Sequence, residues 1–253
     1  MQVKQLIAFD LDGTLAESKQ PLDADMASAL AGLLEVADVA IISGGDWPQF
    51  EAQVTSRIDS RANLQRLWIM PTTGAKLYRF GDARWHQIYA DNFDQATRNT
   101  IFANVKNAVE GANLSIKEIW GHQIEDRGTQ VTFSALGQQA PLEEKKAWDP
   151  DFTKRKAMQR ILRAALPELS VNIGGLTSID ITQRGVDKGY GLRRLSQQSG
   201  LPLTAMMFVG DAIYPGGNDY PAREAGVDTI AVRDVAETRT VISVITIWAG
   251  MAA

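Results

Sequence analysis

The chain has 253 residues, with 26 Lys+Arg against 30 Asp+Glu and no Cys. That length suffices for one large domain or for two smaller ones, each with a core of its own. The formal charge of −4 argues against a nucleic-acid binder, and the lack of Cys excludes a disulfide scaffold, a thiol nucleophile and Cys-ligated zinc or iron–sulfur sites.

Residues 6–9 read as a buried strand, too short for a signal peptide and ended by Asp10. Met26, Leu30, Leu33 and Leu34 mark one face of a helix, and 39–42 reads as the next strand. This is how a parallel sheet with crossover helices is written. A third strand is predicted over 67–70, followed by a hairpin over 76–80 and 84–89 around Gly81-Asp82. His86 and His122, the two histidines, read as hairpin and surface residues rather than metal ligands.

Past about residue 85 the pattern changes. A long helix over 93–109 precedes strands near 118–124 and 130–135, a helix over 152–166, and strands near 171–173 and 178–182. Helices beside an antiparallel sheet suggest an inserted α+β module. From Lys188 the first pattern returns, with a helix to 198, a strand over 206–209, a helix near Ala222 and a strand over 229–232. A last helix carries Val241, Val244, Ile245 and Trp248 at helical spacing and is expected to pack through them. The expected fold class is therefore α/β: a Rossmann-like three-layer α/β/α core with a parallel sheet over 1–84 and 186–253, interrupted by an α+β cap over 85–185. No stretch is long and apolar enough to span a bilayer, so no membrane partner and a cytoplasmic location are expected.

Four segments carry chemistry. Asp10-Leu11-Asp12-Gly13-Thr14 directly follows the first strand, and in open α/β sheets ligands bind outside the carboxyl ends of the strands. Two carboxylates two residues apart, with a Gly to release the chain, can set one on a phosphorus atom and the other beside it. Ser43-Gly44-Gly45-Asp46 ends the second strand, and a hydroxyl with Gly amides ahead of a helix suits an anion. Asp46 and Gln49 have the spacing of a capping box. Lys188 opens the helix that re-enters the core, where its charge opposes the helix dipole until a phosphate arrives. Gly210-Asp211 and then Asn218-Asp219 bring further acidic groups to the same sheet edge.

The charges decide the joint reading. Asp10, Asp12, Asp211 and Asp219 would share one crevice with a phosphate dianion. Each like-charge contact at about 4 Å costs about 4 kcal/mol at an effective dielectric near 20, which Lys188 alone does not offset. A hard divalent cation does, and Mg²⁺ takes carboxylates, phosphate oxygens and waters.

This ordered set resembles the haloacid dehalogenase superfamily, in the subclass (IIB) with a large C2-type cap after the third strand. Pro215-Gly216-Gly217-Asn218-Asp219, Gly174-Gly175-Leu176-Thr177-Ser178-Ile179-Asp180 and Ile124-Glu125-Asp126-Arg127 are most similar to its eukaryotic-type phosphomannomutase branch. The resemblance implies Asp10 as a nucleophile that becomes an aspartyl phosphate, and Asp12 as general acid/base. Ser43, Gly44 and Lys188 would bind the transferring phosphoryl group. Mg²⁺ would sit on Asp10, the backbone carbonyl of Asp12 and Asp211, supported by Asn218 and Asp219. In the cap, Arg127 would hold a substrate phosphate while Ser178 and Asp180 contact the sugar. A homodimer through the cap is also implied.

The chain departs from that branch at three places. Gly137-Gln138 stands where the mutases carry Gly-Arg, so Gln138 takes that substrate-binding position without a charge. Lys19 replaces an arginine after the first motif, and an upstream cap arginine is replaced near Trp120. Arg suits a bidentate grip on phosphate and Gln does not. The run Lys145, Lys146, Lys154, Arg155 and Lys156 reads as a solvated face. The reading placed first is thus a Mg²⁺-dependent phosphatase acting on a phosphorylated sugar or similar small metabolite. A phosphomannomutase or phosphoglucomutase using the same nucleophile stands second, and a non-catalytic phosphometabolite sensor third.

Overall fold

The computed structural model describes residues 4–59, 62–114 and 116–252. In chain order come β1 (Leu6–Phe9), α1 (Ala24–Val36), β2 (Asp38–Ile42), the short α2 (Trp47–Phe50), β3 (Leu67–Met70), β4 (Lys76–Gly81) and β5 (Arg84–Ala90). Then follow α3 (Gln95–Gly111), β6 (Ile124–Asp126), β7 (Gln130–Ser134), α4 (Leu142–Trp148), α5 (Thr153–Ala165), β8 (Leu169–Gly174) and β9 (Ser178–Gln183). The chain closes with α6 (Lys188–Ser199), β10 (Met206–Gly210), α7 (Tyr220–Glu224), β11 (Asp228–Ala231) and α8 (Val235–Ala252). Two compact units result: Met1–Ala90 with Val186–Ala253, and Asp91–Gly185.

The first unit is built on a seven-stranded sheet of order β11-β10-β1-β2-β3-β4-β5. Strands β11 to β3 are parallel, and β4 and β5 add antiparallel at one edge. Alternation along each strand sorts its apolar side chains onto two faces. Ile7, Phe9, Val39, Ile41 and Val209 pack with Leu30, Leu33 and Leu34 of α1 and Ile242 of α8. Leu6, Ala8, Ala40, Ile42 and Phe208 meet Leu192 and Leu195 of α6 and Ala222 of α7. Helices thus cover both faces, which is why these strands read as unbroken apolar runs.

Two expectations shift here. Strand β5 pairs with β4 throughout, so the chain leaves the large sheet after Ala90 rather than at residue 84. In α8 the buried face runs through Thr238, Ile242, Ile245 and Ala249, whereas Val244 and Trp248 are exposed. A helix as apolar as α8 offers several stripes at the right spacing, and packing against α1 selects this one.

The second unit carries an antiparallel sheet of order β6-β7-β9-β8. Val131, Phe133, Val171, Ile179 and Ile181 face Ile101 and Val105 of α3 and Met158 and Leu162 of α5. Helix α3 starts at Gln95 rather than Phe93, because Asp94 accepts the Thr97 N–H at 2.7 Å and caps it. Phe93 is a core residue instead. The strand expected over 118–124 is confined to Ile124–Asp126. Gly121 at φ +75° turns the chain just before it, so Trp120, His122 and Gln123 bond irregularly to residues 134–139. Helix α4 has no counterpart in the sequence reading. Among the described residues, no helix is long and apolar enough to cross a membrane.

Candidate active site

Parallel pairing of β1 with both β2 and β10 delivers Asp10, Ser43 and Asp211 to the carboxyl end of one sheet. The Asp10 N–H extends the ladder by one bond, to the Val209 carbonyl at 3.0 Å. Asp10 is 4% exposed, Lys188 2% and Asp219 not at all, so three charges are taken out of water together.

Lys188 binds them. Its Nζ lies 2.5 Å from Asp10 Oδ1 and is also ion-paired with Asp219 Oδ1. Asp187 caps α6 by accepting the Tyr190 N–H at 2.7 Å, which places Lys188 at the first helical position and turns it inward. Burial alone would strip the Lys188 proton, but the two carboxylates outweigh it and hold its pKa above the ordinary lysine value. Burial also pushes Asp10 up to about 6 against the pull of Lys188, with Asp219 adding to the rise. Asp211 is raised too, first by desolvation and then by Asp219.

Asp219 is anchored a second time, its Oδ2 accepting the Ala212 N–H at 3.0 Å. Asp211 Oδ1 faces the Thr14 hydroxyl at 3.4 Å. Carboxylate oxygens of Asp10, Asp211 and Asp219 all lie within 4.8 Å of one another. Three acidic groups against one ammonium leave a deficit of positive charge, and the donors are oxygens only. That set fits a hard divalent cation.

Other expected residues take different places. Asp12 keeps its carboxylate out of the acidic trio: Oδ1 accepts the Lys19 N–H at 2.6 Å and Oδ2 accepts Gln49 Nε2 at 3.1 Å. Ser43 is buried, and its Oγ receives the Gly45 N–H at 3.5 Å, while Gly44 is exposed. Asn218 is exposed, with no side-chain hydrogen bond among the described residues. The expected capping box does not form. Asp46 turns instead to Lys76 Nζ at 2.6 Å, because a charged partner in a mostly buried setting outbids a neutral backbone N–H. The sequence reading gives Gln49 only a helix-capping role and Lys76 only a place in the hairpin.

In the second unit, Arg127 Nη2 pairs with Glu125 Oε2 at 2.8 Å. Ser178 and Asp180 project from the same face of β9, and Asp180 Oδ1 accepts the Thr132 hydroxyl at 2.7 Å. Burial raises the Asp180 pKa, with Thr132 and then Arg127 opposing. Gln138 lies in the turn after β7, its backbone carbonyl accepting from Lys145 Nζ at 3.0 Å and its side-chain Nε2 buried without a hydrogen bond among the described residues. The basic run is not a uniformly solvated face. Arg155 is 3% exposed and donates to Asp149 Oδ2 at 2.8 Å and to the Gly175 carbonyl at 2.6 Å.

A family model described as eukaryotic phosphomannomutase matches residues 26–245. A phosphomannomutase of Encephalitozoon cuniculi is 26% identical over 222 residues, covering 86% of this chain and 83% of that protein. Human phosphomannomutase 1 is 25% identical, covering 85% of this chain and 81% of its own. Among solved structures, an N-terminally truncated Plasmodium falciparum IMP-nucleotidase superposes with a TM-score of 0.70 at 16% identity, over 96% of this chain and 70% of that one. The last likeness is one of fold.

Proposed function

The chain belongs to the eukaryotic phosphomannomutase family, and so to the haloacid dehalogenase phosphotransfer enzymes, and we propose that it is a phosphohexomutase. It moves a phosphoryl group between two hydroxyls of a hexose through an aspartyl phosphate on Asp10. The observation that supports phosphoryl transfer through Asp10 most is the buried Asp10–Lys188–Asp219 cluster at the carboxyl end of β1, with Asp211 beside it. The sequence reading places hydrolysis first; the names of the relatives favour the mutase.

Asp10 attacks phosphorus in line, and the bond from phosphorus to the sugar oxygen breaks. Asp12 gives its proton to that departing oxygen. In the return step Asp12 takes the proton of the other hydroxyl, whose oxygen attacks the aspartyl phosphate and frees Asp10. Lys188, Ser43 and the Gly44 amide hold the oxygens of the phosphoryl group in transit, where most of the developing charge lies. Mg²⁺ bound by Asp10, Asp211 and Asp219, with the Asp12 carbonyl and Asn218, would neutralise those oxygens further.

Hydrolysis is the second reading, and position 138 favours it. A mutase must grip a phosphate at either end of its bisphosphate intermediate, and Gln138 brings no charge to that task. The deciding assay supplies a hexose 1-phosphate with a trace of hexose bisphosphate and follows both products. Isomer without free phosphate supports the mutase; free phosphate without isomer overturns it in favour of the phosphatase.

A further inference from the structure

We propose that Gln49 is the positioning residue of the acid/base step, holding the Asp12 carboxyl aimed at the oxygen that leaves phosphorus. The inference rests on the role given to Asp12 above and adds the side chain that orients it.

Both oxygens of Asp12 are held, and by different segments. The Lys19 N–H donates to Oδ1 at 2.6 Å, and the Gln49 amide donates to Oδ2 at 3.1 Å. Two donors on two oxygens fix the rotation of the carboxyl group about its last bond. Lys19 takes φ +59° to present its N–H, a conformation that costs a non-Gly residue free energy and persists where the surroundings demand it.

Gln49 does not serve the helix start: its amide nitrogen donates to Asp12, while the Asp46 carboxylate, which leaves α2 without a side-chain cap, is bound to Lys76 at 2.6 Å. Its path to Asp12 crosses the Cα of Gly45. A Cβ at position 45 would overlap the Gln49 side-chain carbonyl, so the glycine keeps that path open.

The step itself sets the test. Asp10 forms a bond to phosphorus, the phosphorus–oxygen bond of the donor breaks, and the departing oxygen takes the Asp12 proton. A sugar alkoxide needs that proton; p-nitrophenolate leaves without it. Formation of the aspartyl phosphate is therefore timed with a hexose 1,6-bisphosphate and with p-nitrophenyl phosphate, in the wild type and in Gln49→Leu, Gly45→Ala and Asp12→Asn. Gln49→Leu and Gly45→Ala are each expected to lose about 10- to 100-fold in kcat with the sugar donor, the scale of a misplaced catalytic group. For Gln49→Leu, KM and the rate with the aryl donor are expected to stay within about twofold of the wild type. The double variant is expected to be no worse than either single one, since both break one contact. Equal losses with both donors, or no loss with either, overturn the proposal when Asp12→Asn retains its selectivity for the sugar donor. An Asp12→Asn enzyme without that selectivity removes the acid/base reading of Asp12, and the role of Gln49 with it.

Discussion

A Cβ on Gly13 would stand 2.7 Å from Oδ2 of Asp211, and Gly13 itself holds φ at +89°. The turn that closes the first acidic motif is thus shaped around a carboxylate from the far end of the chain. Gly13→Ala is expected to destabilise the protein by about 1–2 kcal/mol through left-handed backbone strain, read from the denaturant midpoint. Because the new methyl also displaces Asp211, Mg²⁺ affinity is expected to fall by about tenfold in a calorimetric titration, the equivalent of ~1.4 kcal/mol.

The buried Asp10 carboxyl makes stability depend on pH. Its pKa rises from the ordinary 3.8 to about 6 on folding, so between those values the folded state holds a proton that the unfolded state has lost. Stability contributed by this group is therefore present below about pH 4 and lost as pH rises through about 6. Thermal melts in chelator are expected to show that fall in the wild type and a flatter profile in Asp10→Asn. Saturating Mg²⁺ is expected to flatten the wild-type profile as well, by favouring the ionised carboxylate.

Removing Lys188 leaves Asp10 and Asp219 buried together with no cation between them. Lys188→Met is expected to cost about 3–5 kcal/mol in chelator, the usual penalty for orphaning a buried charge. Urea denaturation checks this, and Mg²⁺ is expected to restore part of the loss. Transfer activity is expected to stay low even with Mg²⁺, because no ammonium remains for the phosphoryl oxygens.

Arg155 serves the second unit. Through Asp149 on one side and the Gly174 and Gly175 carbonyls on the other, it ties α5 to the turn ahead of Ser178 and Asp180. Arg155→Met is expected to destabilise by about 3 kcal/mol, and Arg155→Lys to recover only part, since an ammonium lacks the planar fork. Hydrogen exchange at the amides of residues 174–178 is expected to accelerate in both variants.

Much of this was legible because the physics is local. Strands β1, β2, β3 and β10, buried on both faces, announce themselves as short apolar runs, and the acidic motifs sit where those runs stop. The acidic groups expected at one edge already called for a cation, although the structure joins three of them and holds the Asp12 carboxylate apart. What could not be read is how side chains distant in sequence compete for one another. Lys76 takes the Asp46 carboxylate from its helix, and Gln49 turns its amide to Asp12, thirty-seven residues away. Arg155 looks like its basic neighbours until Asp149 is seen to bury it. The stretch before Ile124 has strand-like composition, but the left-handed turn at Gly121 delays pairing. Each outcome depends on contacts that no window of sequence contains.

The identity of the group that receives phosphate is tested most directly by mass spectrometry. The protein is mixed with a hexose bisphosphate and Mg²⁺, quenched in acid within a turnover and digested. One phosphoryl group is expected on the carboxyl of Asp10, in the peptide that follows β1, and none in Asp10→Asn. Label on another residue, or full turnover by Asp10→Asn, would contradict the account.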